Sequence, residues 1–143
     1  MRPDGPPVGL QLAVTSKAVS RAFNAALADA GGSVPIWLVL SSLRSEPRRT
    51  QLDLARAVGI EGPTLTRHLD GLEESGLVAR HRDPGDRRAV RVELTDEGER
   101  LFAALRKAVI AFNKRLTAGF EEPELIRLQQ TLTRLQHNVR AVE

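Results

Sequence analysis

Apolar positions recur along this chain in two different periods, and the change of period divides it. From Leu10 to about Ala30, Leu12, Val19, Phe23 and Ala26 keep a helical spacing with one interrupted turn. Gly31-Gly32 stops that helix, and residues 1–9, rich in proline and glycine, carry no comparable pattern. Ser33 is placed to cap a second helix, with Pro35 tolerated in its first turn. Ile36 to Leu43 is apolar on most sides, which predicts a central, buried helix. Ser45-Glu46-Pro47 breaks it. Thr50 and Asp53 then have the spacing of a capping box, opening a short helix through Leu52, Leu54, Ala55 and Val58 that Gly59 closes. Ile60-Glu61-Gly62 separates it from another helix, with Pro63 in the first turn and an end near Ser75-Gly76.

Here the period falls to two. Leu77 to Arg80 reads as a strand, and Val90, Val92 and Leu94 alternate with Ala89, Arg91 and Glu93 as a half-buried partner. The segment between, His81 to Arg88, predicts a long basic hairpin tip with Pro84-Gly85 in the middle of a type II turn. Thr95-Asp96-Glu97 starts a long helix, whose Leu101, Leu105, Ala108, Phe112 and Leu116 form one face to about Gly119. Pro123 opens the last helix. Its apolar residues Leu125, Leu128, Leu132, Leu135, Val139 and Val142 step by three and four, a coiled-coil-like seam. That seam serves either packing against the helix at 101–116 or pairing with a second chain.

Two short helices joined by a three-residue turn, followed by a hairpin, are the order of a winged helix-turn-helix. The expected architecture is therefore mainly α with a small β-hairpin. One domain spans 1–143, with a winged helix-turn-helix over 33–94 flanked by helices at 10–30 and 95–143. In the second helix of that motif, Leu65, Leu69 and Leu72 share one side. Pro63 and Arg67 point away, Thr64 and Thr66 lie on the flanks, and His68 sits nearer the apolar edge. The free face is small and hydrogen-bonding with one Arg, which suits base edges in a major groove and equally suits a solvated surface.

Charge separates these readings in one place only. Lys plus Arg number 21 against 18 Asp plus Glu, a net charge of +3, which by itself implies no nucleic-acid partner. Residues 80–91, however, hold Arg80, Arg82, Arg87, Arg88 and Arg91 against Asp83 and Asp86. A projecting basic hairpin beside a helix-turn-helix fits an adjacent minor groove, where negative potential is focused. Pairing of Asp86 with these arginines across the tip is the alternative.

Composition closes off other classes. The chain has 143 residues, enough to bury one core, and its 41% hydrophobic and 27% charged residues are those of a folded protein. With no Cys there is no disulfide, thiolate nucleophile or thiol redox sensor. No Gly-rich phosphate loop or HExxH is present, and Asp83 and Asp86 in a hairpin tip are poorly placed for paired acid–base work, so an enzyme is not expected. His68, His81 and His137 lack metal-ligand spacing, so neither metal nor cofactor is expected. No apolar run spans a membrane and the N-terminus does not read as a secretory signal, so the expected location is the cytoplasm.

The run Gly59-Ile60, Pro63 to Arg67, Leu69, Leu72-Glu73, Gly76 to Val78, Arg80, Asp83-Pro84, Asp86 to Ala89, Val92, Leu94-Thr95 and Gly98 closely resembles the MarR family of bacterial transcription regulators. The stretch from Glu74 to Gly98 is its most specific part. The resemblance implies a homodimer with interlocked N- and C-terminal helices, to which Leu12 and the 125–142 seam would belong. It implies a double-stranded, pseudo-palindromic DNA operator with half-sites about 10 base pairs apart, and most often repression. It also implies that Arg88 enters the minor groove with Asp86 orienting it, and that Arg82 and Arg87 share the wing. Many members are released by small aromatic or lipophilic ligands bound between the dimerisation helices and the winged region. There Trp37 and Arg21 are the candidates, although a lone Trp in an apolar helix is ordinarily core. The alternative to this regulator is a winged-helix protein-interaction module with only non-specific affinity for DNA.

Overall fold

Six helices and one three-stranded sheet make up the described residues, 4–47 and 49–140, of a computed structural model of the chain. They run α1 (Val8–Asp29), α2 (Val34–Ser45), β1 (Arg49–Thr50), α3 (Gln51–Val58), α4 (Gly62–Glu74), β2 (Val78–Asp83), β3 (Asp86–Leu94), α5 (Asp96–Leu116) and α6 (Glu122–Arg140). The chain divides into two compact units, Met1–Ile110 and Ala111–Glu143. The expected mainly α, winged helix-turn-helix architecture is the observed one. No single helix among the described residues is long and apolar enough to cross a membrane.

Local chemistry sets the boundaries in the first unit. The Ser33 hydroxyl accepts from the Ile36 amide at 3.4 Å, and Thr50 accepts from Asp53 at 3.1 Å, each holding a first-turn donor that the helix leaves open. Only half of the expected capping box forms among the described residues, because no bond returns from the Asp53 carboxylate. Aspartate is one methylene shorter than the glutamate that normally reaches back. Gly59 closes α3 in the left-handed conformation, φ 70°, as its position predicts.

The core of this unit gathers Val39, Leu40 and Leu43 of α2, Leu54 of α3, Leu65, Leu69 and Leu72 of α4, and Val78 and Val92 of the sheet. Leu27 and Leu105 join it from α1 and α5. The apolar segment at 36–43 is therefore central, as its lack of a polar face requires.

The sheet departs from expectation in three ways. Its order is β1-β3-β2, and β1 adds two residues through Arg49↔Val92 and Thr50↔Arg91. Both hairpin strands run further into the tip than their alternation predicts, leaving a turn of only Pro84-Gly85. That turn is not type II: Gly85 is not among the glycines with positive φ. Instead the Asp83 carboxylate accepts from the Gly85 amide at 2.9 Å, an Asx turn that fixes the reversal with a side chain.

Where β3 meets α5, the first helical turn lies against the backbone of residue 77. Thr95 Oγ1 donates to the Gly76 carbonyl at 2.5 Å and accepts from the Gly98 amide at 3.1 Å. A Cβ on Gly98 would overlap the Leu77 carbonyl oxygen and lie 3.1 Å from its carbon. Backbone cannot yield as a flexible side chain can, so Gly98→Ala is expected to destabilise the chain by about 2 kcal/mol, read by urea unfolding. An unchanged midpoint would contradict this packing.

Candidate nucleic-acid interface

Helix α4 presents two unlike sides. Leu65, Leu69 and Leu72 are buried; Pro63 and Arg67 are exposed; Thr64, Thr66 and His68 are half-buried. The Thr66 hydroxyl is already engaged, accepting from Gln51 Nε2 at 2.7 Å and donating to the Gly62 carbonyl at 3.0 Å. It ties α3 to α4, a role its place on a helical wheel does not reveal. Glu61 gives α4 no side-chain cap, which leaves first-turn amides open at the positive end of the helix dipole.

The wing carries its arginines on a break in the ladder. Arg82 pairs with Val90, whereas the next residue, Asp83, pairs with Asp86. Arg87, Arg88 and Ala89 therefore have no Cα partner on β2. Arg82, Arg87 and Arg88 are exposed, and the Asp86 carboxylate accepts from the Arg88 amide at 3.0 Å. Among the described residues, Asp86 thus holds the Arg88 backbone and makes no ion pair across the tip with the exposed Arg88 side chain. The cross-tip pair belongs to Asp83, whose Oδ2 lies 2.8 Å from Arg91 Nε. Hydrogen bonding from Gly85, then from Arg91, outweighs burial and holds the Asp83 carboxyl below its ordinary value.

Arg80 does not belong with the exposed arginines. Its side chain is 18% exposed, with Nη2 2.5 Å from Asp70 and 3.2 Å from Glu73, both on α4. Its amide also donates to Glu73 Oε2 at 3.0 Å. The side-chain hydrogen bond from Arg80 lowers the Glu73 pKa against the opposing effect of burial. Burial pulls Arg80 down, but its bonds to Glu73 and Asp70 prevail and raise it. A signal for this was in the sequence: alternation puts Arg80 on the same side of β2 as buried Val78.

The linkage has a definite sign. Glu73 and Asp83 both titrate below their ordinary 4.5 and 3.8, so their stabilisation is fully present above that range. It is lost as pH falls through the lowered values. Unfolding free energy, read by urea titration across pH, is expected to fall as pH drops below about 4. Glu73→Gln is expected to remove part of that slope.

An open groove of about 630 Å³ runs between these parts. Thr50 to Asp53 and Ala55 line it from β1 and α3, Gly62 and Thr66 from α4, and Asp86 and Arg88 to Val90 from β3. Leu52, 62% exposed, stands in it without polar function. Arginine donors on one wall and helix N-terminal amides on another make a surface suited to phosphate oxygens. Among the described residues no cluster of His, Cys, Asp or Glu could hold a metal ion.

The other candidates lie elsewhere. Trp37 stacks on Phe102 with ring centroids 5.6 Å apart and planes 3° from parallel, at the edge of the core. Phe102 lines a second groove of about 400 Å³ with Arg44, Glu99, Ala103, Arg106, Lys107 and Ile110. Neither groove is lined by Trp37 or by Arg21, which is exposed on α1. In the second unit, no α6 residue is buried. Leu128, Leu132 and Val139 are exposed, and Leu125 and Leu135 half-buried, while Val142 lies outside the described residues. Leu12 on α1 is 41% exposed.

Known proteins share this layout. A sequence model of the MarR family matches residues 33–90. The transcriptional repressor CouR, solved bound to a 23-mer DNA duplex, is 30% identical over 91% of this chain and 92% of its own, with a TM-score of 0.81. A MarR-family transcriptional regulator from Rhodococcus sp. RHA1 is 29% identical over 90% of this chain and 91% of its own, TM-score 0.75. A mutant MarR from E. coli complexed with operator DNA is 26% identical over 90% and 93%, TM-score 0.79. The family model covers α2 through most of β3, and the likeness to CouR extends through both flanks, so the chain belongs to the MarR family of transcription regulators.

Proposed function

We propose that this chain is a homodimeric, sequence-specific DNA-binding regulator that represses from a pseudo-palindromic operator. The observation that carries the reading is the shared groove, in which the first turn of α4 and Arg88 of the wing face one open space. The DNA-bound states of CouR and of E. coli MarR support it. In this reading residues 33–94 bind DNA, and 10–30 with 95–143 pair the subunits within a single domain. The N-terminal half of α4 enters the major groove. Arg67 forks onto guanine or phosphate, with Pro63, Thr64 and His68 beside it and Thr66 bracing α3. Arg88 reaches the minor groove from the bulged strand, with Arg82 and Arg87 near phosphates. The Leu12 and α6 seams form the subunit contact. Release by a small aromatic or lipophilic ligand fits the aromatic stack of Trp37 and Phe102 beside the second groove, with Arg21 offered to a carboxylate. Such a protein acts in the cytoplasm, on the nucleoid.

The test is a titration against DNA upstream of the chain's own gene, at two salt concentrations with competitor, followed by footprinting. A two-fold symmetric footprint with half-sites about one helical turn apart is expected. Arg67→Ala and Arg88→Ala are each expected to cost about 2 kcal/mol of operator affinity with dimerisation intact, and Arg88→Ala to reduce the salt slope by about 1. Native affinity in both variants at fixed salt would sink this docking. Weak binding without sequence preference would instead favour an interaction module.

A further inference from the structure

We infer that Arg80 is a positioning residue that sets the placement of the wing relative to α4, by holding Asp70 and Glu73 rather than by touching DNA. Glu73 grips Arg80 twice: one carboxylate oxygen accepts from its backbone amide at 3.0 Å and the other from its guanidinium at 3.2 Å. The same guanidinium nitrogen reaches Asp70, one turn earlier, at 2.5 Å. Only Ser75, Gly76 and Leu77 connect α4 to β2; their own bonds close the end of α4, the Leu77 amide donating to the Leu72 carbonyl at 2.8 Å, and tie the link to Thr95, with the Gly76 carbonyl accepting from its hydroxyl. The Arg80 bonds reach past the link and tie the strand β2 itself to α4. The anchor is firm on the strand side, because Arg80 pairs with Val92, which is fully buried.

The arrangement also answers an electrostatic problem. The C-terminal half of α4 carries Asp70, Glu73 and Glu74, and unpaired carboxylates beside phosphates repel. Arg80 neutralises two of the three. Its side chain is 18% exposed while Asp70 and Glu73 are 59% and 42% exposed, so the cation is the shielded member of the cluster. The inference rests on the proposed function for its DNA readout and predicts a result of unusual sign. Removing an acid from a DNA-binding helix should strengthen binding to any DNA by simple charge. Removing Glu73 should instead weaken selection of the operator, because helix and wing no longer meet one site together.

The experiment compares the native chain with Glu73→Ala, Arg80→Lys, Arg80→Ala and the Glu73→Ala/Arg80→Ala double variant. Affinity is measured for the operator and for an unrelated duplex at two salt concentrations, and amide exchange is followed without DNA. Glu73→Ala and Arg80→Lys are expected to lower the operator-to-unrelated ratio about tenfold, the order of one mismatched base pair. In Glu73→Ala the Arg80 amide is expected to exchange faster, and the double variant to be no worse than Arg80→Ala. The inference is overturned if Glu73→Ala binds the operator as tightly as the native chain with unchanged Arg80 exchange. It is also overturned if Arg80→Ala weakens both duplexes equally and lowers the salt slope by about 1, the mark of a direct phosphate contact. A native chain with no operator preference would remove the proposed function instead, and the exchange measurement alone would then decide the role of Arg80.

Discussion

A chain carrying Leu128→Asp and Leu132→Asp is expected to sediment as a monomer and to bind its operator about a thousandfold more weakly, since the second half-site no longer benefits from effective concentration. The two leucines are 47% and 40% exposed in the isolated chain, on a helix with no buried residue. A helix of 19 residues that buries none of its leucines gains little from folding alone, so its apolar stripe needs a second surface. Charge placed at two successive seam positions leaves carboxylates with no partner in that interface. Far-ultraviolet circular dichroism should keep most of its helical signal, with any loss confined to about the share of α6. A variant that remains dimeric by sedimentation would show that subunits pair through another surface.

Leu69→Ala is expected to cost about 3 kcal/mol of stability, lowering the melting temperature by about 10 °C. Leu69 is fully buried on α4, in one cluster with Val39 of α2, Leu54 of α3 and Val92 of β3. These cluster members come from three other elements and cannot all collapse into the space left by three lost carbons. Because Leu69 sits on the opposite side of α4 from Arg67, operator affinity below the transition should fall far less than in Arg67→Ala. Equal losses would mean that α4 shifts bodily when its core side is trimmed.

Much of this fold was legible because its signals are local. Thr50 and Gly59 mark both ends of α3 by their own hydrogen-bonding and conformational properties, and Leu65, Leu69 and Leu72 define the inner side of α4 by spacing alone. The two-residue strand β1 was not legible, because it exists only through pairing with β3, some forty residues later. The turn at Pro84-Gly85 misled for a related reason. The dipeptide favours type II, but the neighbouring Asp83 carboxylate offers the Gly85 amide a better acceptor. At the candidate interface, sequence grouped five arginines into one basic patch. The structure divides them: Arg82, Arg87 and Arg88 are exposed, Arg91 pairs with Asp83, and Arg80 is held by acids seven and ten residues earlier. Nothing in composition makes that division, which depends on how α4 packs on β2.

The contact at Gly98 has a mechanical consequence. Side chains between two packed elements act as a cushion, since rotamers can absorb small displacements before the backbone responds. Between the first turn of α5 and residue 77 there is no such cushion, only main chain against main chain, pinned by Thr95. A tilt imposed on α5 is therefore delivered to the base of the wing without slack. Within the first unit, the start of α5 and the base of the hairpin form one joint, and any change of angle at that joint would be carried to the arginine-bearing tip.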